Sequence, residues 1–317
     1  MSDAPAWRIR PAGAASPYCG GGQHSSGQGR VRLSFRHMDG YAFDTQTDEL
    51  YKKQGVDRMS VRVVIATHKP CAVPSDPLYL PLCVGVATAA PTGFAGDDTG
   101  ESITEKNSTF CELTGLYWAW KNLPDDYIGL VHYRRYFSTH RCFRYRRALR
   151  QVLTLEQAQS LLQGRDGILP RPRRYYIETL YSHYAHTSYE EPLAETGRIL
   201  QERYPAYYPA FQRLHRRTAA HMFNMMILRR DHLDAYCTWL FDILFELEQR
   251  VDTTGYSKFH ARFFGRVSEL LLDVWLEQHP LDCVQLPVVS TVRTPWLRKG
   301  WAFLAAKFAG RKYEESF

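Results

Sequence analysis

Two apolar stretches with no room for a wet face constrain this chain more than anything else in it. "SVRVVIATHK" carries a β-branched run from Val61 to Ile65, and "DDYIGLVHYRRYFS", Asp125 to Ser138, opens as another buried strand. Strands apolar at consecutive positions belong in the middle of a sheet covered on both sides. Between them lie "LPLCVGVAT" (Leu80 to Thr88), a second short strand, and a glycine- and aspartate-rich loop, "GFAGDDTGESITEKN". A helix follows. Thr109 and Glu112 stand at capping-box spacing, and Leu113, Leu116, Tyr117 and Trp120 recur at i, i+3, i+4 and i+7 to give one apolar face. Asn122, Pro124 and Asp125 then break the helix. Strand, loop, helix and strand in that order is what a parallel sheet with crossover helices requires, so the fold class is α/β.

The rest of the chain extends this pattern. Thr139 to Arg174 is basic and is expected to be mostly helical around "TLEQAQSLLQ", while "HMFNMMILRR" reads as another inner strand. "DHLDAYCTWLFDILFELEQR" is an amphipathic helix with Asp231 as N-cap and a stripe through Leu233, Tyr236, Leu240, Leu244 and Leu247. A further helix, "RVSELLLDVWLEQ", and a short strand, "VQLPVV", complete a globular part spanning 59–292. With 317 residues and 44% hydrophobic content, the chain can fill such a core. Residues 1–58 read differently: "PAGAASPYCGGGQHSSGQGR" has no sustained period, which predicts disorder or loose packing, with Met59 as a natural start.

The segment 293–317 mixes Trp296, Trp301, Phe303, Leu304 and Phe308 with Arg298, Lys299, Lys307, Arg311 and Lys312. This amphipathic tail suits an interfacial helix on an anionic membrane, and equally a C-terminal helix docked on the domain. The net charge of +7 raises the expectation of an anionic partner without choosing among nucleic acid, phospholipid and phosphorylated small molecule. The seven cysteines (Cys19, Cys71, Cys83, Cys111, Cys142, Cys237, Cys283) are scattered, odd in number and never spaced C-x-x-C. They fit a reducing compartment rather than a disulfide framework or zinc site. No apolar run is long enough to cross a bilayer, and no secretory signal is visible, so the expected location is cytoplasmic.

In an open parallel sheet, ligands bind outside the carboxyl ends of the strands. One strand here ends in Thr67, His68 and Lys69, the other in His132, Tyr133, Arg134, Arg135 and Tyr136. Strand alternation would point His132, Arg134 and Tyr136 one way and Tyr133, Arg135 and Phe137 the other. Neighbouring guanidiniums in a cleft make a forked receptor for phosphate oxygens; the plainer reading is surface ion pairing.

These residues also carry a resemblance. "ITEKNSTFCELTGLYWAWKNLPDDYIGLVHYRRYF", "LPRPRRYYIETLYSHYAH", "FNMMILRRDHLDAYCTWLFDILFELEQRV" and "FGRVSELLLDVWL" resemble a bacterial glycosyltransferase family first catalogued as a domain of unknown function. Its members occur among enzymes assembling capsular polysaccharide and O-antigen. The likeness runs from about Val61 to the C-terminus. It implies a GT-A-like, Rossmann-type mixed sheet flanked by helices, with a helical acceptor-side region. It also implies sugar transfer from a UDP-sugar, UDP-galactofuranose as first guess, to a growing glycan or lipid-linked glycan; with the basic aromatic tail, the expected location is cytoplasmic or peripheral at the inner face of the cytoplasmic membrane.

Most GT-A enzymes hold a divalent metal with Asp-x-Asp; this chain has none, and "HYRRYF" stands at the matching place. His132, Arg134 and Arg135 are therefore expected to offset the leaving diphosphate without a metal or other cofactor. Glu269 in "FGRVSELLL", read as the start of a helix, is the expected base, or else a capping or surface glutamate; Asp97, Asp98 and Glu178 compete, with Asp98 retained as a second catalytic candidate. Glu178, Tyr181, His183 and His186, with Tyr184, would line the acceptor pocket by stacking on sugar rings and bonding hydroxyls. Asn224 is either a buried amide or an acceptor contact. The contrasting readings are a non-catalytic glycan- or nucleotide-binding scaffold of an assembly complex and an RNA binder; no standard nucleic-acid motif is present.

Overall fold

The computed structural model describes residues 59–86, 89, 92–141 and 145–292, the side chain of Arg146 excepted. The expected loose extension at 1–58 and amphipathic tail at 293–317 lie outside the described residues. In chain order the strands are β1 (Val61–Thr67), β2 (Tyr79–Cys83), β3 (Ala95–Gly96), β4 (Tyr127–His132), β5 (Arg135–Phe137), β6 (Gly167–Pro170), β7 (Arg173–Arg174), β8 (Ala219–Ala220), β9 (Met226–Arg229), β10 (Cys283–Leu286) and β11 (Val288–Ser290). The helices are α1 (Asn107–Phe110), α2 (Leu113–Asn122), α3 (Leu155–Leu162), α4 (Leu180–Thr187), α5 (Glu191–Arg203), α6 (Tyr208–Arg216), α7 (Arg230–Arg250) and α8 (Phe263–Gln278).

β1 pairs in parallel with β2 on one side and β4 on the other. The main sheet runs β10-β6-β9-β4-β1-β2-β3, and β5 with β11 forms an antiparallel flap beside β4. β9 is antiparallel to both β4 and β6, which makes the sheet mixed. It fits there because Gly129 on β4 has no side chain; a Cβ would lie 2.6 Å from the Met226 carbonyl oxygen.

Burial on both faces explains the unbroken apolar runs. Val64 and Ala66 of β1 and Ile128 and Leu130 of β4 face one cluster, built with residues of α2, α7 and α8. Val63, Ile65 and Val131 face a second cluster with Tyr136, Phe137 and the Ala158 and Leu162 of α3. The α7 stripe Leu233, Tyr236, Leu240, Leu244 and Leu247 is fully buried, each such side chain contributing about 1.5–3 kcal/mol.

Several local expectations differ from the structure. Thr109 and Glu112 form no capping box: Thr109 Oγ1 donates to the Lys106 carbonyl, Cys111 interrupts the helix at φ 54°, and Glu112 is an N-cap whose side chain makes no cap bond. Asp231 is not the N-cap of α7; Arg229 is, and Asp231 sits in the first turn, ion-paired to Arg229 at 2.7 Å. The stretch Thr139 to Arg174 is helical around the expected segment, as α3 with a true capping box of Thr154 and Gln157 and as a 3-10 helix over Tyr145–Arg150, but its end also holds β6 and β7. Four buried residues, Gly167 to Pro170, are too short to show a period. Among the described residues no helix is long and apolar enough to cross a membrane.

Candidate active site

β1 and β4 lie in register with Ala66 opposite His132, so the polar residues after both strands arrive at one sheet edge. Thr67 is fully buried and its Oγ1 donates to the Lys69 carbonyl at 2.7 Å, bending the chain as it leaves β1. His68 then meets the Tyr133 ring edge-on at 5.5 Å, and Lys69 Nζ lies 5.3 Å from the same ring.

The alternation expected through 132–137 does not hold, because β4 ends at His132. Tyr133 and Arg134 form a two-residue turn, and His132 pairs antiparallel with Arg135. Directly opposed residues of an antiparallel pair share a face, so His132 and Arg135 point the same way. Tyr136, fully buried on the other face, packs edge-on against Tyr79.

A cavity of about 340 Å³ opens between this edge, the start of α2 and the first half of α8, within the size range of small-molecule sites. His68, His132, Tyr133 and Arg134 line it from the sheet; Arg262, Arg266 and Glu269 line it from the helix side; Glu112 closes it from α2. Glu269 is in the second turn of α8, not at its start.

The two carboxylates are held by one short turn. Phe223 and Asn224 adopt φ of 80° and 52°, in the left-handed region that costs a non-glycine residue. The Phe223 amide donates to Glu269 Oε1 at 3.0 Å, and Asn224 Nδ2 donates to Glu112 Oε1 at 2.9 Å and to the Gly265 carbonyl at 3.0 Å. Asn224 is thus a buried amide of a turn before β9, not part of that strand. Cys111, the other non-glycine residue at positive φ among the described residues, also borders the cavity.

Burial raises the Glu269 carboxyl to about 7, with the Glu112 charge acting in the same direction and Arg135, the Phe223 amide and Arg173 opposing. His132 is pushed down to about 2 by burial and then by Arg134 and Arg135. His68 is lowered too, by burial ahead of Lys69, Arg262 and Arg134. Both imidazoles are therefore neutral near pH 7, available as hydrogen-bonding groups rather than as cations. The positive charge belongs to the arginines. Arg266 is braced by the Ser188 hydroxyl and the Phe259 carbonyl, with Phe259 under its guanidinium at 4.1 Å. Arg134 has a buried Nε with no hydrogen-bond partner. Arg135 lies over the Phe223 ring at 4.4 Å, outside the lining but next to Glu269.

The other predicted residues are not in the cavity. Asp98 is exposed on the loop after β3, whereas its neighbour Asp97 is buried and staples that loop, accepting from the Gly85 amide at 3.0 Å and the Thr104 hydroxyl at 2.5 Å. Glu178 is buried and receives His186 Nδ1 at 2.6 Å and His183 Nδ1 at 3.2 Å. Tyr181 donates to Glu190 at 2.6 Å. This group connects back through ring and cation contacts: His183 tilted against Tyr175 at 4.2 Å, Arg173 on Tyr175 at 5.0 Å and on Phe223 at 5.9 Å.

Glu112, Arg262 and Arg266 were missed by reading the sequence. Arg262, Arg266 and Glu269 do leave a signal, spaced 4 and 3 residues apart as a polar stripe along an apolar helix. Glu112 left none beyond its mistaken capping pattern.

No curated protein matches the chain. Among solved structures, it is similar to the apo structure of WbbM, a bifunctional glycosyltransferase, at 29% identity and a TM-score of 0.67. The match covers 74% of this chain and 46% of that one, so this chain spans less than half the length of WbbM. A family model described as a domain of unknown function, DUF4422, matches residues 62–280. The chain accordingly belongs to the DUF4422 family and has a GT-A-like mixed α/β fold.

Proposed function

We propose that the chain is a glycosyltransferase, moving a hexose from a UDP-sugar, with UDP-galactofuranose as first choice, to a hydroxyl of a capsular or O-antigen type glycan. One observation carries the reading: a single cavity at the carboxyl edge of β1 and β4 sets Arg134, Arg262 and Arg266 beside Glu269, a carboxyl poised near neutrality. The WbbM likeness supports the same class.

In this mechanism the donor diphosphate lies against the arginines, with neutral His68 and His132 donating to its oxygens. As an acceptor hydroxyl attacks the anomeric carbon, Glu269 takes the hydroxyl proton. The bond from that carbon to the diphosphate oxygen breaks, its electron pair leaves with UDP, and the guanidiniums offset the charge. The configuration inverts. Asp98 has no part in this step, and acceptor contacts are assigned to the Glu178, Tyr181, His183 and His186 group, which reaches the Phe223 turn through Tyr175 and Arg173.

A divalent cation is the usual diphosphate partner in GT-A enzymes, but the lining suits one poorly. Its carboxylates, Glu112 and Glu269, each already accept a hydrogen bond, and guanidiniums surround them. Among the described residues no group of three or more His, Cys, Asp and Glu side chains is set to hold a metal. A thermal-shift screen of UDP, GDP, CMP and dTDP sugars, each in EDTA and in manganese, tests the proposal. Stabilisation by UDP-sugars in EDTA is expected. Strict manganese dependence would remove the metal-free mechanism; no response to any nucleotide would remove the transferase reading.

A further inference from the structure

α8 is apolar along its middle: every residue from Leu270 to Trp275 is buried, and all but one of these side chains are aliphatic or indole. The exception is Asp273, 4% exposed between Leu272 and Val274. A carboxylate in such a place is destabilising unless it is paired and hydrogen-bonded. Asp273 is both. Its Oδ2 accepts from the His221 amide at 2.7 Å; its Oδ1 faces His221 Nδ1 at 3.1 Å and accepts from Arg217 Nη2 at 2.9 Å. The other ring nitrogen of His221, Nε2, lies 3.4 Å from Gln285 Nε2 on β10.

Asp273 stands four residues after Glu269, about one helical turn along the same face. Both acids accept a backbone amide hydrogen bond from one short segment, Asp273 from His221 and Glu269 from Phe223. The turn at Phe223 and Asn224 is therefore anchored to α8 on both sides of Met222, and a left-handed turn of non-glycine residues persists only where its surroundings over-determine it. Arg217 extends the network. Its guanidinium bonds Asp273 while its carbonyl accepts from the Leu180 amide at 2.8 Å, which joins Asp273 to the segment carrying Glu178. Arg217, His221 and Asp273 do not line the cavity.

We propose that Asp273 is a positioning residue: through His221 it fixes the turn whose Phe223 amide holds Glu269, and through Arg217 it ties that turn to the Glu178 segment. Its consequence for turnover rests on the transferase reading; its hold on Glu269 does not.

The test reads Glu269 itself. The Phe223 amide bond lowers the proton affinity of that carboxyl, as do Arg135 of β5 and Arg173 of β7, against burial and Glu112 before α2. Asparagine at 273 has a single acceptor oxygen where the carboxylate uses two. In Asp273→Asn the turn loosens, and the Glu269 midpoint from carboxyl carbon NMR should rise by at least about half a pH unit. His221→Leu should move it the same way, and His221→Asn, whose amide nitrogen can take the place of Nδ1, should keep the parent value. Leu271→Ala, two residues from Glu269 and so on the far side of α8, should lower the melting temperature and leave the midpoint in place. An unmoved midpoint in Asp273→Asn, or an equal shift in Leu271→Ala, would overturn the proposal. If Asp273→Asn does not fold, His221→Leu decides by the same criterion. The thermal shift with UDP-sugars keeps the two readings apart. A retained nucleotide response with an unmoved midpoint removes the positioning role alone, whereas a parent protein that responds to no nucleotide loses the transferase reading and keeps the midpoint result.

Discussion

Replacing Glu112 by glutamine isolates the electrostatic link between the two carboxylates. Glu269 stands near 7 against an ordinary 4.5, a difference of about 3 kcal/mol. Burial is the larger cause and the Glu112 charge the next, against Arg135, the Phe223 amide and Arg173. One like charge facing a partly polar cavity is worth on the order of 1–2 kcal/mol. Glu112→Gln should therefore lower the Glu269 midpoint by about one pH unit. The glutamine carbonyl still accepts from Asn224 Nδ2, so the turn persists. Carboxyl carbon NMR, with Glu269 assigned by a Glu269→Gln control, reads the midpoint without substrate. Stability gives an independent reading. A carboxyl whose folded midpoint is raised contributes stability that is present below 4.5 and lost as pH rises through about 7. The variant should complete that loss at lower pH and lose less. An unmoved Glu269 midpoint would refute the coupling and leave Glu112 as a structural neighbour only.

Other outcomes follow from the same geometry. Arg134→Ala should weaken UDP binding by about 10–100-fold in EDTA, measured by calorimetry, while Arg135→Ala, outside the lining, should weaken it less and raise the Glu269 midpoint. Asn224→Gly keeps the left-handed turn and removes only the amide, so it should cost more in turnover than in melting temperature, whereas Asn224→Ala should cost both. Because His68 is held below 6.5 by burial and then by nearby cations, a bound diphosphate should raise it; UDP binding near pH 6 should take up a proton, seen as a buffer-dependent calorimetric enthalpy. Gly85→Ala should destabilise by about 2 kcal/mol or more in a urea melt, since φ is +67° and the new methyl would collide with the Asn107 side chain.

Patterns repeated along one element were legible in the sequence. Val61 to Ile65 and the β4 run fixed strands buried on two faces, and the α7 stripe fixed a packed helix, because periodicity and burial are properties of a single segment. The strand ends carrying His68, His132 and Arg134 were legible for the same reason, since a parallel sheet delivers its carboxyl ends to one edge. What required the tertiary structure was every feature in which two segments decide one outcome. The Tyr133–Arg134 turn reverses the chain only because β5 finds β11 and β4 as partners. Glu112 joins Glu269 only because a left-handed turn 112 residues away from Glu112 donates to both. Local pattern reports which face a residue is on; charge pairing, desolvation and the resulting proton affinity depend on what arrives opposite, and no single stretch of sequence carries that.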